Sequence, residues 1–196
     1  EAHPDTQTLF SSWLSDEADQ ANAIKRDAPV MVVIGNPPYS VSSSNKSPWI
    51  EKLISDYKKD LNEKSYNSLS DDYVKFIRFG QYFIDKNGSG VLAYISNNSF
   101  IDGITHRQMR KHLLESFDKI YILDLHGNAK KKEVCPDGSS DQNVFDIMQG
   151  VSINIFVKTG NKKQKELGEV FHYDLQGKRD FKYDLLNVNS LKSFDW

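Results

Sequence analysis

The sequence is sparing with the residues that usually advertise a protein's chemistry. Of its 196 residues one is a cysteine, Cys135. An internal disulfide framework is therefore excluded, and the usage fits a reducing, cytoplasmic setting. Lying beside Pro136 in a polar stretch, that thiol reads as incidental rather than catalytic. Charge of one sign is missing too: 25 Lys and Arg stand against 27 Asp and Glu, a formal net charge of −2. With no global basic field, any contact with nucleic acid rests on local patches. No apolar run approaches about 18 residues, so neither a membrane span nor a signal peptide is expected. His106, His112 and His126 show no paired spacing with acids or cysteines, and no metal site is expected. The opening Glu1-Ala2-His3-Pro4 carries no initiator methionine, which suggests a piece excised from a larger protein.

What is present is ordinary for a globular chain: 38% hydrophobic and 27% charged residues, in a length sufficient for one sizeable core. Leu9, Phe10, Trp13, Leu14, Ala18, Ala21 and Ile24 recur at helical spacing and predict a helix over 8–26. The run Val30-Met31-Val32-Val33-Ile34-Gly35 reads as a strand buried on both faces. A polar insertion over 40–70 follows, with a short helix around 48–57. Ser70-Asp71-Asp72 opens a helix lined inside by Tyr73, Phe76, Ile77, Gly80, Phe83 and Ile84, and Asn87-Gly88-Ser89-Gly90 ends it. Val91–Ile95 is a second strand, Ser96–Phe100 a polar turn, 106–117 a helix and 119–125 a third strand. After a long polar loop over 127–150 comes an alternating strand, 151–158. A further strand begins over 168–173, and the tail is mixed and polar. Alternating strands and helices predict an α/β fold with a largely parallel, doubly wound sheet.

The most informative residues are Asn36-Pro37-Pro38-Tyr39, directly after the first strand. Two prolines hold φ at about −65° and stiffen the loop. Ligands of α/β sheets bind at the carboxyl ends of strands. An amide that can donate and accept, beside a ring that can stack, suits a flat heterocycle such as a nucleobase.

This loop resembles the catalytic loop of amino-group DNA methyltransferases, above all the adenine-specific branch. The order of parts is similar to the carboxyl half of a class I, S-adenosylmethionine-dependent, Rossmann-like methyltransferase fold. It is a partial fold, with a mostly parallel sheet and a C-terminal antiparallel strand. More narrowly the chain resembles the adenine methyltransferases of large single-chain restriction–modification enzymes. Phe100-Ile101-Asp102-Gly103, Leu125-His126-Gly127-Asn128 and the stretch Asn143 to Ile153 extend the likeness over roughly Val30 to Gly160. The resemblance implies that residues 1–160 are the carboxyl half of a catalytic domain and 161–196 an extension. It implies that Asn36 and the Pro37 carbonyl hold the target amine, with Pro38 stiffening the loop. Tyr39 would stack on an adenine flipped out of double-stranded DNA, and Phe145 would close the second face. Phe145 reads equally well as a core anchor.

Lys130, Lys131 and Lys132 are candidates for phosphate contacts and equally a solvated loop. Asn97 and Asn98 can face the site, though turn chemistry explains them as well. The family's glycine-rich turn and acidic ribose ligand do not occur before Val30, so cofactor-binding residues are not assignable. S-adenosylmethionine would be bound by the rest of the polypeptide, which would also supply target recognition and any helicase or nuclease segments. The isolated chain is expected to be inactive. Methylation of RNA or of a protein glutamine, or a non-catalytic DNA-binding module, are the alternatives.

Overall fold

The computed structural model describes residues 9–39, 43–163 and 165–196. Thr8 at the expected start of the first helix, and Ser40 and Ser42 of the polar insertion, lie outside them, as do the side chains of Leu9, Phe10, Trp13 and Leu14. The chain divides into two compact units, Glu1–Val30 and Met31–Trp196. Among the described residues the first contains one helix, α1 (Leu9–Asp27). Among the described residues no helix is long and apolar enough to cross a membrane.

The second unit is built on five strands: β1 (Val32–Gly35), β2 (Gly90–Asn97), β3 (Lys119–Asp124), β4 (Val151–Lys158) and β5 (Glu169–Asp174). Their order across the sheet is β1-β2-β4-β3-β5. β1 is parallel to β2, and β3 to β5, while β4 runs antiparallel to both β2 and β3. The four parallel strands therefore end along one edge, at Gly35, Asn97, Asp124 and Asp174. The mostly parallel sheet with one antiparallel strand is the architecture expected from the sequence.

Three helices cover one face: α2 (Pro48–Lys58), α3 (Asp72–Asn87) and α5 (Arg107–Ser116). α2 begins where Ser47 accepts a hydrogen bond from the Ile50 amide and Pro48 occupies the first turn, where its missing N–H costs nothing. α3 starts after Asp71 and stops at Gly88, whose φ of 86° only glycine adopts freely. The core on this side packs Ile50, Ile54, Tyr57, Tyr73, Ile77, Met109 and Leu113 against Leu92, Tyr94, Ile120 and Phe156. Burying a large side chain of this kind contributes about 1.5–3 kcal/mol. At the carboxyl edge this core turns polar. Asn154 donates to Ser96 at 3.1 Å and accepts from Ser152 at 3.0 Å, and all three are fully buried.

The opposite face carries a second cluster of Leu123, Leu125, Val144, Val151 and Leu175. Packed against it are Leu185 and Leu186 of α6 (Arg179–Val188) and the C-terminal Phe194 and Trp196.

Four expectations are corrected. β1 is an outer strand, not one buried on both faces: Val32 is 64% and Ile34 79% exposed, because among the described residues β2 alone pairs with it and its buried side faces the helices. Phe76 is exposed at 38%, since Val74, Lys75 and Gln81 complete the inner face of α3. The polar turn after the second strand is shorter than expected: Ser96 and Asn97 finish β2, and Ser99–Asp102 winds into a short helix, α4. The tail, read from sequence only as mixed and polar, contains the helix α6.

His106 is a core residue. It is 3% exposed, and Nε2 lies 3.0 Å from the Tyr73 hydroxyl. Burial, aided by the charge on Arg110, pulls its pKa down to about 4. In the unfolded chain the imidazole takes a proton near about pH 6.5, and the fold resists it until about pH 4. Stability conferred by neutral His106 is thus complete above pH 6.5 and is lost as pH falls towards 4, by at most about 1.4 kcal/mol per pH unit. His106→Gln is expected to flatten urea-unfolding stability across that window. Equal pH slopes for the two proteins would refute the assignment.

Candidate active site

Asn36 leaves the carboxyl end of β1 as an exposed residue, Pro37 is buried and Pro38 exposed. The first proline is buried in the turn, and Asn36 is exposed at the sheet edge. Tyr39 is half-buried and packs with Ile95, Phe145, Ile147 and Ile153 on the second core. Its ring centroid is 6.3 Å from that of Phe145, with the planes tilted by 57°. The two aromatics singled out from sequence, more than a hundred residues apart, thus meet at the same edge. The Tyr39 hydroxyl is enclosed without a hydrogen-bond partner, and burial raises its pKa to about 12.

Phe145 reaches Tyr39 because of how its loop is tied down. The chain between β3 and β4 begins with His126 and Gly127, both at positive φ, 51° and 78°. A Cβ on Gly127 would sit 2.4 Å from Asn143 Cα, so the two halves of the loop touch only because this residue is glycine. Asn143 closes the neck, donating to the carbonyls of Gly127 at 3.0 Å and Gln149 at 2.6 Å. It also accepts from the Phe145 amide at 2.8 Å. Asp141 accepts from the Gly127 and Gly177 amides at 2.6 and 2.7 Å and pairs with Lys182 at 2.8 Å, both side chains fully buried. A charged pair of this kind persists only where every donor and acceptor is satisfied. Lys182 meets that condition with further bonds to the carbonyls of Leu125 and Gln142, each at 2.7 Å.

A second polar network crosses the strand ends. Asn98 donates to Asp124 at 2.9 Å, and Asp124 accepts from the His126 amide at 3.0 Å. His126 Nε2 lies 2.7 Å from Asp174. Asp124, His172 and Asp174 place one potential ligand atom each within 4.8 Å of one another. Residues from two strands thus come together that local sequence spacing could not bring into view. Asn97 accepts from the amide and hydroxyl of Ser99 at 2.9 and 2.7 Å, at the start of the short helix. Asn98 is 5% exposed. Both asparagines are turned into the edge rather than displayed on it.

The three lysines are exposed, but they are not equivalent. Lys131 donates to Asp102 at 2.9 Å, and that bond holds its pKa above the ordinary lysine range. Cys135 is a buried free thiol. Sequence reasoning missed Asp141, Arg179, Lys182 and Tyr183. The last three share one helix face at i, i+3 and i+4, a signal hidden because the innermost position is a lysine.

A mostly parallel sheet with a proline-stiffened amide loop at its carboxyl edge, faced by an aromatic from the return loop, defines a methyltransferase-type α/β domain. The chain belongs to the Eco57I restriction-modification methylase family, whose profile matches residues 8–130. No curated protein matches it in sequence. Three solved structures are similar over almost its whole length. The ATP-dependent Type ISP restriction-modification enzyme LlaBIII bound to DNA is 28% identical over 92% of this chain, with a TM-score of 0.74. A nuclease-deletion mutant of the Type ISP enzyme LlaGI, in complex with a DNA substrate mimic, is 26% identical over 98% (TM-score 0.75). A DrdV–DNA complex is 26% identical over 96% (TM-score 0.76). The chain spans only 12%, 16% and 19% of those three proteins.

An enclosed hydroxyl without a partner costs about 1–3 kcal/mol. Tyr39→Phe is therefore expected to raise the thermal midpoint of the DNA-free protein, by roughly 2–4 °C per kcal/mol for a chain of this size. A lowered midpoint would mean that the hydroxyl is satisfied.

Proposed function

We propose that this chain is the substrate-binding half of a DNA methyltransferase that methylates the exocyclic amino group of adenine within a restriction–modification enzyme. The observation that carries the reading is the pairing of Tyr39 with Phe145 beside the exposed Asn36, at the carboxyl edge of the sheet. Membership of a restriction-modification methylase family and likeness to enzymes solved on DNA support it.

The chemistry follows from the target. The lone pair of an adenine amine is delocalised into the ring, so the amine is a weak nucleophile. Two acceptors that take its protons tetrahedrally localise that pair and leave it open to an electrophile. Asn36 Oδ1 and the Pro37 carbonyl are the acceptors in this reading. Neither ionises, so the work is positioning and electrostatics. The base must leave the duplex to reach them, and stacking on Tyr39 and Phe145, worth about 1–3 kcal/mol per ring–base contact, offsets part of that cost. Lys130 and Lys132, on the exposed loop beside the edge, are the candidates for phosphate contacts, with Lys131 competed for by Asp102.

S-adenosylmethionine would supply the methyl group. This reading assigns none of its contacts to residues of this chain, since no glycine-rich turn with an acidic ribose ligand is found in the sequence before β1. The donor site is assigned to other parts of the polypeptide, together with target recognition.

The test uses the full-length protein, labelled S-adenosylmethionine and adenine-containing duplex DNA. Label is expected on adenine, and Asn36→Ala should lower kcat by at least about 100-fold, as loss of one group contacting the reacting centre typically does. Label on RNA or on a protein glutamine instead would change the substrate class. Full activity of Asn36→Ala would remove the mechanism.

A further inference from the structure

The irregular segment 142–145 raises a question of backbone chemistry. Carbonyls outside helices and sheets must find partners when they lie against a packed core. Here four successive carbonyls are each taken by a side chain of one helix. Lys182 donates to Gln142 O at 2.7 Å, Arg179 Nε to Asn143 O at 2.7 Å and Arg179 Nη2 to Phe145 O at 3.0 Å. The Tyr183 hydroxyl donates to Val144 O. Arg179 also pairs with Asp146 at 2.8 Å, and its own amide donates to Gln142 Oε1 at 3.0 Å. The planar guanidinium thus brackets Phe145 on both sides, through the carbonyl before Val144 and the carboxylate after the ring.

We propose that Arg179 is a positioning residue for the aromatic pair: with Tyr183 it sets the place and tilt of Phe145 against Tyr39, and so the aromatic surface on which a flipped base is held. This rests on the reading of Tyr39 and Phe145 as stacking partners given above. The residue lies well beyond 8–130, the region matched by the methylase family. A lysine at this position would not replace it, because one ammonium cannot serve the Asn143 carbonyl, the Phe145 carbonyl and the Asp146 carboxylate in a single plane.

The experiment has two arms, both on the full-length protein. In the DNA-free protein, hydrogen exchange is followed in peptides covering 142–147. Arg179→Ala is expected to speed exchange there and leave β3 and β4 unchanged. In the second arm, methylation of a duplex that the wild-type protein modifies is measured. Arg179→Ala should lower kcat on the order of tenfold, the effect of one charge-assisted hydrogen bond, with KM for DNA little changed and Arg179→Lys intermediate. Introduced into Phe145→Ala, the same substitution should cost almost nothing more, because two residues acting through one contact are not additive. Equal losses in both backgrounds, wild-type kcat in Arg179→Ala, or unchanged exchange would each overturn the proposal. Should Arg179→Ala fail to fold, Tyr183→Phe, which deletes a single hydroxyl, is held to the same criteria. If the wild-type protein methylates no DNA, the methyltransferase reading falls. The exchange arm then decides alone whether Arg179 holds the loop, and unchanged exchange overturns that as well.

Discussion

The site depends on one strand running against its neighbours. β4 lies between β2 and β3 and is antiparallel to both. A parallel strand in that place would oblige the chain leaving β3 to cross to the far end of the sheet before returning. Because β4 is reversed, it starts at the edge where β3 stops, with Leu125 N bonded to Val151 O at 2.9 Å and Asn98 N to Gly150 O at 3.0 Å. The connection between them has nowhere to go but over the carboxyl edge. That geometry, more than any local preference, brings Phe145 to Tyr39.

A loop held only at its two ends would wander. Here it is fastened from within by buried charge. Replacing an ion pair such as Asp141–Lys182 by apolar residues is often neutral for stability, so the pair is better understood as fixing one arrangement among several. Asp141 ties the start of the loop to Gly177, and Lys182 ties α6 to Leu125 and Gln142. Helix, strand end and loop are fixed to one another by groups that accept no other partner without loss.

Much of this could be read in the residues. A stiff Asn-Pro-Pro-Tyr after an apolar run marks the sheet edge, the glycine that caps α3 is unmistakable, and alternation marks β4 as a strand, its reversed direction being implied by the resemblance alone. The parts that stayed hidden have physical causes. α6 escaped notice because Lys182, a charged residue, occupies its most buried position, and charge is normally read as surface. The apolar character of Val30–Ile34 suggested cover on both faces, but hydrophobicity says only that a surface wants cover, not that the cover is present. Phe145 was identifiable as an aromatic near the right place. Whether it would meet Tyr39 depended on Asp141, Asn143 and Arg179, polar residues whose long-range partners no local pattern reveals.

The bare flank of β1 carries a final implication. Val32 and Ile34 stand in solvent on a strand whose outer amides and carbonyls pair with no other strand of the sheet. Such a margin is an open template for any extended backbone that drifts past. Handled on its own, this polypeptide would be adhesive along that seam, and additives that compete for strand pairing would matter to its solubility as well as adjustments of salt or pH.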